Sequence, residues 1–363
     1  MQLNSTLTWL VDAAGASPGA DRFLAELGAH LIADDLPLAG GALTLAVPHP
    51  IIARRTWLWR AENGVVIEAV GFASAGFASA GPKDSAGDAG RHWLAGLAGG
   101  AVHEDVVGPG PDGPVLSWTG PRPFTEAELG RLREVARFAA APLAALSARA
   151  TLTAALEAYL GRRSAARVLA GPLRRDVGET IRAALLYADL RGFTALDAWF
   201  DCMAGAVHAF GGEVLKFIGD GMLAIFPVTG DNPGDACNAA LRAVSSAQAG
   251  MAHLDGIRRE QGLPSLTFGA ALHLGEMLWG NIGAADRLDF TAIGPAVNLV
   301  SRLEGLCRPL GRTVLVSGAV AAETSAKLIP LGTHALRGIA SPCAVYTVPD
   351  SQGPDHEEVK PIG

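Results

Sequence analysis

Two aspartates, Asp189 and Asp220, have a sequence setting that suggests chemistry. Each follows an apolar run typical of a buried β-strand, Leu-Leu-Tyr-Ala before the first and Val-Leu-Lys-Phe-Ile-Gly before the second. A carboxylate at the end of a buried strand is costly unless it is paired or coordinates a cation. Two such carboxylates on neighbouring strands can share hard divalent metal ions, as two-metal phosphoryl and nucleotidyl chemistry requires. The pattern therefore indicates an enzyme that acts on nucleotides.

The elements that must position these aspartates belong to a segment that begins near residue 181. Apolar strands alternate there with amphipathic helices, which is typical of an α/β domain with a central, largely antiparallel or mixed sheet. After the first strand and a helix, we expect paired strands around 216–226, strands over 266–273, 276–281, 312–316 and 344–348, and helices over 236–254 and 296–306.

The preceding segment, residues 6–125, also has mixed α/β character. Its pattern predicts a helix over 7–36, a strand over 42–47 and a closing strand over 114–118. A hairpin is predicted from 55–60 and 65–70, because Asn63-Gly64 between them is a favoured turn dipeptide. Residues 72–76 are repeated at once as 77–81, which we interpret as slippage in a loop.

A long amphipathic segment covers residues 125–160. Thr125 and Glu128 have the spacing of a capping box, and apolar residues then recur every three or four positions. The segment is one long helix or two helices broken near Pro142. It either packs on its own domain or forms a parallel dimer helix that carries a signal between domains, since the heptad pattern is imperfect.

Length and composition limit the class of protein. The 363 residues allow two domains, and 49% hydrophobic with 18% charged residues is a globular composition, without a stretch that would cross a bilayer. The net charge of -7 argues against broad binding of nucleic acid or anionic membranes. The four cysteines lack metal-ligand spacing, and the N-terminus lacks the pattern of an export signal. We therefore expect reduced thiols and a cytoplasmic location, with no nucleic-acid or membrane partner.

Four motifs in order give a more specific indication. They are Asp-Leu-Arg-Gly-Phe-Thr at 189–194, the run 211–221, His-Leu-Gly-Glu at 273–276 with Gly-Asn-Ile-Gly at 280–283, and the run 294–303. Together they resemble the catalytic domain of the class III adenylate/guanylate cyclases over roughly residues 180–349. The expected fold class is α/β (α+β): a sensor domain over 1–125, a helical linker or dimerisation helix over 126–175, the cyclase domain over 176–349 and a flexible tail over 350–363.

The resemblance implies roles for the residues near the two aspartates. Asp189 and Asp220 would be the metal-binding carboxylates, with the Leu190 carbonyl as a further ligand, for two Mg²⁺ or Mn²⁺ ions per active site. The backbone amides expected to hold phosphate oxygens are those of Gly192, Phe193 and Thr194.

Other positions would contact the substrate. Lys216 matches the base-reading lysine and Thr291 its partner, a pair that suits adenine and resembles the subgroup that includes bicarbonate-responsive adenylate cyclases. Asn298 would orient the ribose, Arg302 would stabilise charge at the α-phosphate, and Arg337 would reach the terminal phosphates.

The activity implied is conversion of ATP to 3′,5′-cyclic AMP and pyrophosphate by a homodimer with active sites at the subunit interface. Two alternatives remain open: a guanylate cyclase, and a catalytically weak or inactive cyclase-like module that binds nucleotide and signals. The second is motivated by a departure from the family, because the segment between Phe193 and Gly211 has room for one helix instead of two.

The N-terminal region loosely resembles the GAF-like sensor domains that precede many bacterial cyclases. The resemblance rests on strand and helix order and on Trp57 and Trp59 in the predicted hairpin. It implies a small-molecule ligand for this domain and regulation of the cyclase, whereas the two tryptophans are equally compatible with an ordinary core.

Overall fold

The chain divides into two compact units, Met1–Tyr159 and Leu160–Gly363. The computed structural model describes residues 4–46, 52–72, 86–98, 101–110, 113–172, 174–175, 177–191, 196–284 and 286–349. The division falls inside the segment 126–175 that the sequence predicts as a linker. The predicted tail over 350–363 and the repeat at 77–81 lie outside the described residues.

The first unit is a five-stranded antiparallel sheet with helices. The sheet order is β3-β2-β1-β5-β4. In chain order the elements are α1 Ser5–Asp12, α2 Ala20–Ala33, β1 Gly40–Ala46, β2 Ile52–Arg60, β3 Val66–Phe72, α3 Ala86–Ala98, β4 His103–Val106, β5 Val115–Thr119, α4 Glu126–Phe138 and α5 Ala140–Leu160.

The predicted helix over 7–36 is two helices separated by a short turn. Residues Ala14–Ala16 form one turn of 3₁₀-helix, and Ser17 then adopts an extended conformation with φ -56° and ψ 130°. The residue before a proline is disfavoured in the helical region, so Pro18 ends the first helical stretch. The predicted hairpin is confirmed as β2 and β3, whereas α3 and β4 were not predicted.

Of the two predictions for the segment 125–160, two helices broken near Pro142 is confirmed, with the break at Ala139. Thr125 caps α4 with both capping-box hydrogen bonds, as predicted. Pro142 is the third residue of α5, where its missing N–H leaves no intrahelical hydrogen bond unmade. Leu132 of α4 and Leu143 of α5 are fully buried in the core of the first unit, so this part of the segment packs on its own domain.

Within the described residues, no single helix combines the length and apolar character needed to cross a membrane. The pair α4 and α5, bent by 50°, meets that criterion only when the two are taken together, by length and composition.

The second unit is built on an eight-stranded sheet. The order is β12-β13-β11-β9-β6-β8-β7, with β10 paired to β9. Strand β11 runs parallel to β9 and the other neighbouring strands described in this sheet pair antiparallel, which confirms the predicted mixed sheet. The elements are α6 Arg162–Ala170, β6 Val177–Arg191, α7 Leu196–Ala209, β7 Glu213–Ile218, β8 Gly221–Pro227, α8 Pro233–Glu260, β9 Thr267–Gly283, β10 Leu288–Ile293, α9 Pro295–Glu304, β11 Val314–Ser317, α10 Gly318–Ala321, β12 Ile329–His334 and β13 Cys343–Thr347.

Two details differ from the predicted elements. The strands expected over 266–273 and 276–281 form one continuous strand, β9, because Gly275 and Glu276 stay in register with β6. Strands β10 and β12 were not predicted. One helix, α7, occupies the segment before Gly211, as predicted; it buries Trp199, Met203 and Val207 against the sheet.

Candidate functional site

Asp189 and Asp220 lie next to each other at one end of the sheet. Asp189 is near the end of β6, directly opposite Gly221, the first residue of β8. Asp220 occupies the turn between β7 and β8, and its carbonyl oxygen accepts a hydrogen bond of 3.0 Å from the Leu190 backbone N–H. The two acidic side chains therefore project from backbone segments that are bonded to each other.

The close approach of these segments depends on Gly221. A Cβ atom at this position would lie 2.9 Å from Asp189 Oδ1 and 2.8 Å from the Tyr187 hydroxyl oxygen. Real Cβ contacts are longer, so any other residue would displace the carboxylate or the hydroxyl. Glycine here lets β8 begin directly beside the acidic pair.

Negative charge accumulates around the pair. Burial raises the pKa of the Asp189 carboxyl, and the nearby Asp220 raises it further, against an opposing effect of Arg191. Burial, together with Asp189 and Asp220, raises the pKa of Glu304 at the end of α9 to about 7, again partly offset by Arg191. A cation bound at the acidic pair would stabilise the charged forms of these carboxyls.

The acidic pair fits a magnesium or manganese ion that is shared with a nucleotide. In the described part of the chain no group of three or more His, Cys, Asp or Glu side chains is placed to hold a metal by itself. Mg²⁺ is usually bound by one or two carboxylates together with substrate phosphates and water, and the two aspartates would supply the carboxylate part of that donor set. The predicted phosphate-binding residues Gly192, Phe193 and Thr194 lie outside the described residues.

Lys216 and Thr291 belong to a second group, formed by β7 and β10. The Lys216 Nζ atom lies 2.7 Å from Asp289 Oδ2. Thr291 follows Asp289 by two residues on β10, so both side chains are on the same face of that strand. Thr291 is 4% exposed, and its buried Oγ1 finds no hydrogen-bond partner among the described residues. The Lys216–Asp289 ion pair thus joins the strand of Lys216 to the strand of Thr291, whose hydroxyl is left without a partner.

Asn298 and Arg302 lie on α9, and Arg302 is close to the turn that carries Arg337. Asn298 and Arg337 are exposed. The Arg302 Nη1 atom is buried without a partner in the described structure, and it lies 2.9 Å from where a Cβ on Gly338 would be. The two arginines predicted to contact phosphates therefore come from neighbouring segments.

The acidic pair makes no direct bond to the other predicted site residues that the structure describes. Over the described residues, no hydrogen bond or ion pair joins Asp189 or Asp220 to Lys216, Thr291 or Arg302.

Three residues near these groups had no role assigned from sequence. Asp289 and Tyr187 each lie two positions before a predicted site residue, and this spacing on a strand puts both on the same face, a signal that could have found them. Glu304 offered no such signal. It lies near Asp189 because α9 packs along β9, which brings Glu304 Oε1 against Gly269, the residue opposite Asp189.

The first unit contains a cavity of about 230 Å³ over the face of β1 and β2. Its lining includes Arg55, Trp57 and Arg149, with Leu45 and Leu146 as apolar walls. Trp59, the other tryptophan of the hairpin, is buried in the core and packs edge-on against Trp118.

Sequence comparison relates part of the chain to named cyclases, although no protein-family model matches it. Adenylate cyclase 1 of Rhizobium meliloti (strain 1021) is 34% identical over 158 residues, which is 42% of this chain and 23% of that protein. The adenylate cyclase of Anabaena cylindrica is 32% identical over 163 residues, 40% of this chain and 31% of that protein. The chain thus spans less than a third of either relative.

Solved structures of cyclases align with a similar portion of the chain. The adenylyl cyclase CyaB from P. aeruginosa is 26% identical, with a TM-score of 0.41, and covers 48% of this chain and 97% of its own. The guanylyl cyclase Cya2 is 24% identical, also with a TM-score of 0.41, over 48% and 96%. Structural similarity at a TM-score of 0.41 does not indicate which nucleotide this chain uses. Part of this chain is therefore similar in sequence to proteins named adenylate cyclases.

Proposed function

We propose that the protein is an adenylate cyclase that converts ATP to 3′,5′-cyclic AMP and pyrophosphate. The observation that supports this most directly is the pair Asp189 and Asp220, held side by side by the bond from Leu190 N–H to the Asp220 carbonyl. Two adjacent carboxylates are suited to divalent ions that also bind the nucleotide phosphates. The sequence similarity to adenylate cyclases supports the same reaction.

The reaction is attack of the ribose 3′-oxygen on the α-phosphorus, with pyrophosphate as the leaving group. Bound divalent ions would supply acidification of the 3′-hydroxyl and neutralisation of phosphate charge. Arg302 would donate from its guanidinium to the α-phosphate oxygens where charge develops. Its buried, unpaired Nη1 supports this role, because a buried guanidinium N–H without an acceptor is costly in the free protein.

Base recognition would come from Lys216 and Thr291. The lysine ammonium donates to the ring nitrogen N1 of adenine, and the threonine hydroxyl accepts from the exocyclic amine. Guanine presents an N–H and a carbonyl at these two positions, so the donor–acceptor pattern is mismatched. The free Thr291 hydroxyl supports the proposal, and the Asp289 carboxylate orients the lysine.

We propose that the catalytic unit forms a symmetric homodimer, with the acidic pair of one copy facing the base and phosphate residues of its partner. Exposed apolar side chains on β7, β9 and β10, namely Phe217, Leu278 and Ile293, support contact with a second copy. Mixing an Asp189→Ala chain with an Arg302→Ala chain should then restore about a quarter of the wild-type sites, since half the dimers would have one intact site of two.

The first unit would regulate the second in response to a small molecule. The cavity beside Arg55, Trp57 and Arg149 is large enough for a small ligand and supports that assignment. Helices α5 and α6 follow one another in the chain with only Gly161 between them, which supports a route for the signal.

A product assay on the purified protein tests the function. ATP and GTP are each supplied with Mg²⁺ or Mn²⁺, and cyclic AMP, cyclic GMP and pyrophosphate are measured. We expect cyclic AMP and pyrophosphate in equal amounts. Cyclic GMP as the main product would identify a guanylate cyclase, and nucleotide binding without turnover under either metal would identify a non-catalytic signalling module.

A further inference from the structure

Glu213, the first residue of β7, is buried and bonded to the start of helix α6. Its side chain is 5% exposed, and its Oε1 accepts hydrogen bonds from Ser164 N–H at 3.0 Å and from the Ser164 hydroxyl at 2.8 Å. The other carboxylate oxygen is buried without a partner in the described residues. A helix N-terminus stabilises a negative charge, so α6 compensates the burial of this carboxylate.

The local backbone is shaped for this contact. Gly161, just before α6, has φ +81°, and a Cβ atom there would lie 2.9 Å from Glu213 Oε1. The strand itself is irregular immediately beyond Glu213, because its register with β8 shifts between Val214 and Lys216. A strand irregularity of this kind re-aims the side chains beside it, so the Glu213 contact lies next to the point at which the direction of Lys216 is set.

The other end of α6 is held against β9. The Arg167 guanidinium carbon lies 5.1 Å from the centre of the Trp279 ring, and Arg167 also forms an ion pair with Glu179 of β6. Trp279 is 5% exposed and packs edge-on against Phe290 of β10, with ring centres 5.4 Å apart. Phe290 immediately precedes Thr291 on that strand.

Helix α6 is thus attached to both strands that carry the proposed base-reading side chains. One attachment runs through Glu213 to β7 and Lys216, and the other through Trp279 and Phe290 to β10 and Thr291. We infer that α6 acts as a brace that fixes the spacing between Lys216 and Thr291, and that Glu213 is a positioning residue for purine recognition. This inference rests on the proposed function, and it makes the preference for adenine sensitive to the placement of α6.

Binding of unreactive nucleotides tests the brace without requiring catalysis. The variants are Glu213→Ala, Glu213→Gln, which keeps an acceptor oxygen, and Ser164→Ala; Arg163→Gln, an exposed change on the same helix, is the matched control. Affinity for 3′-deoxy-ATP and 3′-deoxy-GTP is measured by calorimetry, together with melting temperature and with KM and kcat for ATP.

For Glu213→Ala we expect affinity for 3′-deoxy-ATP to fall about 5- to 10-fold, a loss comparable to one charged hydrogen bond, and affinity for 3′-deoxy-GTP to change little. KM for ATP should rise more than kcat falls. Glu213→Gln should stay within about twofold of wild type because it keeps an acceptor oxygen. Ser164→Ala should be intermediate because it removes one of the two donors, and the control should match wild type because it leaves both hydrogen bonds in place.

A purely structural role for Glu213 predicts something different. In that case Glu213→Ala lowers the melting temperature but leaves the ratio of the affinities for 3′-deoxy-ATP and 3′-deoxy-GTP, and KM for ATP, unchanged. That result overturns the inference. If Glu213→Ala does not fold, an unchanged ratio of the two affinities together with an unchanged KM for ATP in Ser164→Ala overturns it equally. Failure of the wild type to bind either nucleotide would instead refute the proposed function, and the inference with it.

Discussion

Replacing Thr291 with valine should stabilise the free protein and at the same time weaken its recognition of ATP. Thr291 is 4% exposed, and its Oγ1 has no hydrogen-bond partner in the described structure. Valine has nearly the same shape and lacks the hydroxyl. The substitution therefore removes a buried polar group that only a ligand would satisfy.

The size of both effects follows from the burial. A buried hydroxyl without a partner costs about 1–3 kcal/mol, so Thr291→Val should raise the free energy of unfolding by about 1–2 kcal/mol. For a unit of this size that corresponds to a melting temperature higher by about 2–8 °C. Loss of the hydrogen bond to the adenine amine should raise KM for ATP by about 5- to 10-fold and reduce the preference for ATP over GTP.

Urea unfolding and steady-state kinetics with both nucleotides measure these opposite changes. Thr347 provides a matched control, because its buried hydroxyl donates to the Val314 carbonyl oxygen at 2.7 Å. Thr347→Val should destabilise the protein and leave nucleotide preference intact. A Thr291→Val protein that is less stable than wild type, or that prefers ATP over GTP as strongly as wild type does, would show that the Thr291 hydroxyl does not bind the base.

Three further predictions concern Asp289, Gly221 and His273. Asp289→Asn should raise KM for ATP by at most about fivefold with little change in kcat, because an ion pair with side chains 30% and 56% exposed contributes about 0.2–1 kcal/mol; an unchanged KM would mean that Asp289 does not orient Lys216. Gly221→Ala would place its Cβ 2.9 Å from Asp189 Oδ1, and the displaced carboxylate should lower kcat by about 100-fold in the cyclase assay, whereas wild-type turnover would contradict the geometry. Burial lowers the pKa of His273 to about 4, below its ordinary value of 6.5. The unfolded chain therefore takes up a proton between these values that the folded protein does not, and folded stability falls as the pH drops from about 6.5 to 4. His273→Gln should remove up to about 3 kcal/mol of this acid sensitivity in urea titrations at pH 7 and pH 4.5, and an unchanged pH profile would assign the effect to other groups.

The sequence predicted the central sheet and the proximity of the acidic pair because both are recorded in local patterns. Apolar runs that lead into an aspartate indicate the last part of β6 and the turn before β8. The helix boundaries were less predictable. The segment 125–160 was predicted as one long helix or as two helices broken near Pro142. The break lies at Ala139, and Pro142 is in the first turn of α5, where a proline costs little.

Contacts between distant segments could not be read in the same way. Glu304 lies beside the acidic pair because a helix packs along β9, and Glu213 bonds to a helix nearly fifty residues earlier in the chain. Neither contact leaves a periodic or short-range signal. The metal, base and phosphate roles of the predicted site residues remain predictions.

Metal binding in the presence of an unreactive substrate is the most direct test of the claim that Asp189 and Asp220 hold divalent ions. Mn²⁺ is titrated calorimetrically into protein saturated with 3′-deoxy-ATP, which lacks the attacking hydroxyl. The wild type should bind the metal, and Asp189→Asn and Asp220→Asn should each weaken it by about 10-fold or more without loss of folding, since changes even to outer partners of a metal site cost about 10- to 100-fold. Wild-type Mn²⁺ affinity in both variants would contradict the account.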